Sequence, residues 1–459
     1  MKLSGLAGLG LASHRILGNP EDFANYDQEY KMPGDQHFNM SDYAAPKLET
    51  VRVGFIGLGM RGPTHLKNMT KLEGVEIIAL CDIRTGYANR AKSGIPGSPT
   101  VYSGNEDEWK KLCERDDIDL VFIATPWEMH TPMAVYAMEH GKHVCVEVPA
   151  AVTIQECWKL VDTSERTRRH CMMMENCCYD FFELLTLNMA RQGFFGEIVH
   201  GEGAYIHNLL DLNFDKNGYW EMWRLRQNAR RNGNLYPTHG LGPICQIMNI
   251  NRGDKLDYMI SKSGIDFMMG AKAKELAAKD DFFKPFENAS FRGNMNTSSI
   301  TSNKGRTIMI QHDVSSPNVY SRIHKVVGTK GSALKYPIPG RISNGGEDWI
   351  SEEEVKALGS QYEPAIVKKV GELAKQVGGH GGMDFLMDWR TIDCLHNGLP
   401  LDEDVYDAAL WSSIAPLSEW SVAHNSSPVK VPDFTRGAWK YNKQVDILLE
   451  KGGNTGVKL

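Results

Sequence analysis

The sequence predicts an α/β protein of two domains: a doubly wound parallel sheet, then an α/β domain built on a mainly antiparallel sheet. Three observations predict it. Short buried strands alternate with helical patterns from Val51 to residue 175, and a glycine-rich turn joins the first strand to the first helix. After residue 176 the pattern changes to longer Thr-, Ser- and Val-bearing runs, which suit a sheet with one solvated face.

Residues 1–50 read as a leader remnant and an arm. Residues 2–12 are weakly apolar and rich in small side chains, like the core of an export signal, and resemble the end of a twin-arginine leader; a frayed tail in a cytoplasmic protein is the alternative. Residues 13–50 carry scattered Asn, Asp, Pro, Gly and Tyr with no sustained period. The first domain, 51–175, has strands expected at 51–56, 75–81, 117–125, 143–148 and 171–175, with a helix at 62–72. The second, 176–440, has strands expected at 197–207, 296–302, 306–313 and 320–328, and helices at 238–250, 364–376, 382–397 and 403–424. Residues 441–459 read as a tail.

Composition narrows the function. A net charge of -6 and a pI near 6.2 give no basic excess for a phosphate backbone, so nucleic acid is not an expected partner. No run reaches the ~20 apolar residues of a membrane-spanning helix. Nine scattered cysteines, an odd number with no Cys-x-x-Cys pair, form neither a disulfide framework nor a metal site.

Gly57-Leu58-Gly59-Met60-Arg61-Gly62 follows a strand and opens a helix. In that setting the first glycine permits a tight turn, the second lets backbone approach a pyrophosphate, and the third lets helix and strand pack closely. Asp82 ends the next strand, twenty residues after Gly62. A carboxylate there bonds ribose hydroxyls and repels a 2′-phosphate, so the expected cofactor is NAD in a Rossmann domain, although Arg84 keeps NADP open. Two more strand ends, 125–130 and 147–149, point at the same crevice. In the second domain Pro237 suits the first turn of the helix expected at 238–250, which sets Tyr236 and His239 at a helix entrance. A phenol and an imidazole so close can move protons; a capped helix with a structural histidine is the alternative.

The glycine turn, with Ala-Thr-Pro-Trp-Glu-Met-His at 124–130 and Glu-Val-Pro at 147–149, resembles the Gfo/Idh/MocA oxidoreductases, whose members join a Rossmann domain to an α/β domain with a large open sheet. Sugar dehydrogenases of that group usually carry Glu-Lys-Pro at the third motif, and Val148 replaces the lysine here. Further segments are more specific: Glu175-Asn176-Cys177-Cys178-Tyr179, Trp223-Arg224, residues 234–240, residues 379–384 and the run from Pro400 to Trp439. Together they resemble glycoside hydrolase family 109 over residues 51–440, which implies an NAD-dependent α-N-acetylgalactosaminidase acting on glycans with terminal N-acetylgalactosamine.

The resemblance implies a cycle without net redox: oxidation at sugar C3, loss of the C2 proton, elimination at C1, addition of water and reduction. By it, Met60, Arg61, Asp82, Trp127, Glu128, Met129, His130, Glu147, Val148 and Asn176 contact NAD. Tyr205, Arg224, Tyr236, Pro237, Thr238, His239 and Tyr320 line the sugar site. The proton transfers fall to Tyr236, His239 and Tyr179 collectively. The competing readings are an NAD-dependent sugar dehydrogenase, a non-catalytic sugar- or nucleotide-binding protein, and a hydrolase working through two carboxylates. By analogy with the fold, the open sheet offers a face for a homo-oligomer.

Overall fold

Val51–Ile56 is apolar at every second position and beyond, so it buries on both faces and takes the centre of a parallel sheet. The computed structural model describes residues 34–458, and the leader-like segment 2–12 lies outside them. The first sheet comprises β1 (Val51–Ile56), β2 (Val75–Asp82), β3 (Thr100–Ser103), β4 (Leu120–Ile123), β5 (His143–Val146) and β6 (Cys171–Met173), in the order β3-β2-β1-β4-β5-β6. Every pairing in it is parallel. The order reverses between β1 and β4, which opens a crevice at their carboxyl ends. Helix α1 (Gly62–Met69) follows β1, α2 (Trp127–Glu139) follows β4, and α3 (Ile154–Thr167) follows β5.

The second sheet has eight strands: β7 (Ile198–Ile206), β8 (Leu256–Ser263), β9 (Asn296–Ser302), β10 (Thr307–Asp313), β11 (His324–Gly328), β12 (Ser332–Lys335), β13 (Arg341–Ser343) and β14 (Val429–Lys430). Their order is β13-β12-β11-β7-β10-β9-β8-β14, antiparallel except for the central β7–β10 pair. Helix α4 (Thr238–Ile247) packs on β7 at very short range. A Cβ on Gly203 of β7 would lie 2.2 Å from the Gly240 carbonyl oxygen, so only glycine permits this approach.

Two long helices pack on the first domain, and the second of them also packs on the second sheet. In α5 (Met383–Asn397) Asp388 meets His65 of α1 at 2.8 Å and accepts from Asn68 at 2.8 Å. In α6 (Val405–Ala423) Ser412 accepts the Ala150 N–H of the first domain, and Ser421 accepts the Ser261 N–H of β8. Segments near both limits of the described residues dock on the same helices, with Gln36 bonded to Tyr406 and Trp389 to the Thr455 carbonyl.

Several boundaries differ from expectation. The strand expected from residue 320 starts at His324, because Ile323 takes a left-handed φ of 41° and leaves only an isolated bridge between Ser321 and Ile206. The helix expected to run to residue 250 stops at Ile247, and Asn249 and Asn251 turn the chain with positive φ. The nine cysteines are all free and buried.

Candidate active site

The crevice between β1 and β4 continues toward the end of β7 as one cleft of about 560 Å³. At its first end the chain's own backbone makes the wall. Gly57 has φ 91°, and a Cβ there would lie 2.4 Å from the Ala124 carbonyl oxygen; glycine thus lets the loop fold against the end of β4 and turn into α1. Gly59, Met60 and Asp82 line the cleft beside it. Asp82 accepts the N–H groups of Leu58 and Arg84, both at 2.8 Å, so its carboxylate also ties the glycine loop to β2.

The charged side chains at this end are already paired. Arg61 reaches Glu147 at 2.9 Å and Asp384 at 3.1 Å, and Asp384 also accepts from Asn176 at 2.6 Å. His65 is fully buried between Glu147 and Asp388. Burial opposes its charge most strongly, but Asp388 and Glu147 together outweigh it and push the imidazole up to about 10. Burial likewise opposes the Glu147 charge, and Arg61 with His65 overrides it and holds the carboxyl at about 2. His130 does not offer its ring to the cleft freely: its two nitrogens lie 2.7 Å from the Pro149 and Thr125 carbonyls, which fixes the loops after β4 and β5.

The other end is built from side chains. Tyr236 and His239, on either side of the start of α4, have ring centres 4.8 Å apart. Tyr205, near the end of β7, lies 4.5 Å from the Tyr236 ring and 5.3 Å from His239. Trp127 closes the cluster at 5.8 Å from Tyr236, which brings the two domains together. The Arg224 guanidinium sits 4.9 Å from the Tyr236 ring and donates to the Tyr219 hydroxyl at 2.8 Å; its second terminal nitrogen is buried without a partner. Burial pushes the Tyr236 phenol well above its ordinary range, so it keeps its proton.

Pro237, Thr238, Tyr179 and Tyr320 do not reach the cleft wall. Pro237 caps α4 and Thr238 is its fully buried first residue, so both shape the entrance without lining it. Tyr320 stands behind His207, with ring centres 5.0 Å apart, and its hydroxyl accepts from Arg322. Tyr179 requires a correction as a proton-transfer group. It is 2% exposed, and its hydroxyl donates at 3.3 Å to Asp402, which Arg390 holds on the side away from the cleft.

Three residues of the site had no role in the sequence reading. His207, two residues beyond Tyr205, lies 3.0 Å from its hydroxyl; burial, then Arg224, hold its imidazole down at about 4. Asp384 pairs Arg61, and Glu175 meets His239 Nδ1 at 2.7 Å. Glu175 carried a signal in the sequence, since it stands at the carboxyl end of a parallel strand, where ligand-facing groups gather.

Comparison with known proteins agrees with this division. Residues 51–175 match the oxidoreductase family with an NAD-binding Rossmann fold, and residues 179–441 match the glycosyl hydrolase 109 C-terminal domain. The chain is 49% identical over 414 residues to glycosyl hydrolase family 109 protein 1 of Bacteroides thetaiotaomicron, covering 86% of each. It is 51% identical over 421 residues to an alpha-N-acetylgalactosaminidase of Bacteroides fragilis, covering 89% of this chain and 97% of that one. Among solved structures, the myo-inositol dehydrogenase of Lactobacillus casei in complex with NAD(H) and myo-inositol shares the fold at a TM-score of 0.57 and 15% identity, covering 84% of this chain and 99% of that one. A Rossmann domain of the Gfo/Idh/MocA kind has here been joined to a glycosidase's second domain, and the chain belongs to glycosyl hydrolase family 109.

Proposed function

We propose that this glycoside hydrolase cleaves terminal α-N-acetylgalactosaminides with NAD held in the first end of the cleft. One observation carries the reading: a single cleft joins a dinucleotide-type glycine turn to the cluster of Tyr236, His239 and Tyr205. The name of the Bacteroides fragilis relative supports the sugar.

The residues present fit a dinucleotide. Gly57 and Gly59 line the cleft as backbone without side chains, which lets a pyrophosphate approach, and Asp82 at the end of β2 lines it beside them, where a ribose would sit. When bound, NAD supplies a reversible two-electron oxidation at sugar C3, which acidifies the neighbouring C–H and lets the C1 substituent leave before water adds. The chain's own part is to orient the sugar and move protons. Trp127, Tyr205 and Tyr236 give the sugar aromatic walls, and Arg224, which lines the cleft among them, sets a fixed positive charge beside its oxygens. Tyr236 and His239 are the groups in reach that exchange protons with the C2 carbon and the C3 hydroxyl. No lysine lines the cleft among the described residues, and Val148 stands where the related dehydrogenases carry one. That favours a glycosidase over an alcohol dehydrogenase with net turnover. A cycle that closes on itself needs no outside nucleotide, which supports export as the leader-like residues 2–12 suggest.

The test is hydrolysis of an aryl α-N-acetylgalactosaminide in deuterated buffer. Aglycone release with deuterium at C2 of the freed sugar and no accumulating NADH is expected. Release without deuterium contradicts the elimination step, and stoichiometric NADH contradicts the closed cycle.

A further inference from the structure

We infer that Glu175 is a positioning residue that fixes the tautomer of His239, so that Nε2 faces the cleft as a proton acceptor. The inference rests on the glycosidase reading and deepens it, since it says how one of the two proton-transfer groups is made ready.

Glu175 Oε1 lies 2.7 Å from His239 Nδ1. The Glu175 side chain is fully buried, whereas that of His239 is 13% exposed and lines the cleft. An ionised carboxylate can only accept, so Nδ1 carries the hydrogen, and whenever the imidazole is neutral the lone pair is on Nε2. The same carboxylate oxygen accepts the Cys177 N–H at 3.1 Å, which pins it at the start of the turn after β6. Burial works against a charge on Glu175, yet the neighbouring His239 keeps its carboxyl below the ordinary range.

A second carboxyl stands behind the first. The Glu175 N–H donates to Glu403 Oε2 at 3.2 Å. Burial, then the Glu175 charge, push the Glu403 carboxyl well above the usual carboxylate range. The Glu175 carboxylate is the one in contact with the imidazole. It is placed to stabilise the imidazolium that forms when Nε2 takes a proton, the role a buried carboxylate plays in hydrolase triads.

The experiment compares Glu175→Leu, Glu175→Gln and His239→Gln in the nucleotide-loaded enzyme. It follows deuterium exchange at C2, single-turnover reduction of the bound nicotinamide, kcat and KM. Glu175→Leu should lower kcat at least about a hundredfold with KM within about threefold, and should slow the same step as His239→Gln. Glu175→Gln keeps an acceptor oxygen without the charge and should regain about tenfold. The double variant Glu175→Leu/His239→Gln should be no more than about threefold slower than His239→Gln alone, because the two residues act as one unit. Additive losses, or a near-normal kcat in Glu175→Leu, would overturn the assignment.

Nitrogen-15 spectra of the histidine-labelled wild type, assigned with His239→Gln, give a reading that needs no Glu175 variant to fold. A protonated Nδ1 and bare Nε2 on His239 support the assignment, and the reverse tautomer overturns it. If the wild type cleaves without exchange at C2, the cycle proposed above fails while the tautomer is still read directly.

Discussion

The two ends of the cleft are made from different materials. The nucleotide end is mostly backbone, a glycine turn and a helix start, and its charged side chains, Arg61, Glu147, His65, Asp384 and Asp388, are spent on one another. The sugar end is mostly side chains, among them Tyr236 and His239, which line the cleft, the latter with only its Nδ1 taken by Glu175. An end that binds the same group in every turnover can be rigid and fully paired. An end that must take and return protons has to leave groups unpaired.

That contrast makes ordered predictions. The largest effect belongs to the sugar end: Tyr236→Phe removes one oxygen atom and should lower kcat by about 10²–10³ while bound nucleotide and thermal midpoint stay near the wild type. A kcat within about threefold of wild type would erase the distinction between the ends.

The nucleotide end should instead show itself in stability. His65 is raised to about 10 in the folded chain from an unfolded value near 6.5. Its contribution, of the order of a few kcal/mol, is full below pH ~6.5 and is lost as pH rises toward 10. Glu183, which burial raises to about 8, adds the same slope to the wild type and to Asp388→Asn, so it cancels from their comparison. Thermal midpoints between about pH 8 and 9.5 should therefore fall more steeply in the wild type than in Asp388→Asn, whose His65 has lost its main partner. Equal slopes would mean that the clamp between α1 and α5 does not depend on a charged His65.

The smallest effect on turnover is expected for Tyr179→Phe. Its hydroxyl faces Asp402 and not the cleft, so the change should cost about 1 kcal/mol of stability and leave kcat within about threefold. A loss as large as that of Tyr236→Phe would return Tyr179 to the proton-transfer groups.

The same difference in material decides what could be read from the sequence. The nucleotide end is local: Gly57, Gly59 and Asp82 lie within one β-α-β unit, so spacing alone places them, and the strand over 51–56 and the helices beginning near residues 238, 365 and 383 follow from buried periodicity. The sugar end is assembled from the ends of β6 and β7, the start of α4 and the helix Trp223–Arg230, which only the fold brings together. Tyr179 was misplaced because the sequence gives its position next to Asn176 but not the Arg390–Asp402 pair that captures its hydroxyl. Glu175 was passed over for the opposite reason: its motif was visible, but its partner His239 is 64 residues away. Strand β8, whose run Leu-Asp-Tyr-Met-Ile-Ser-Lys-Ser alternates only in part, gains its place from pairing with β9.

The central claim is that glycoside cleavage here depends on a nucleotide that the protein holds and does not consume. The direct measurement is to strip the purified protein of nucleotide and titrate NAD back while following aglycone release. Activity should vanish with the nucleotide and return in proportion to bound NAD. Full-rate cleavage by nucleotide-free protein would contradict the account.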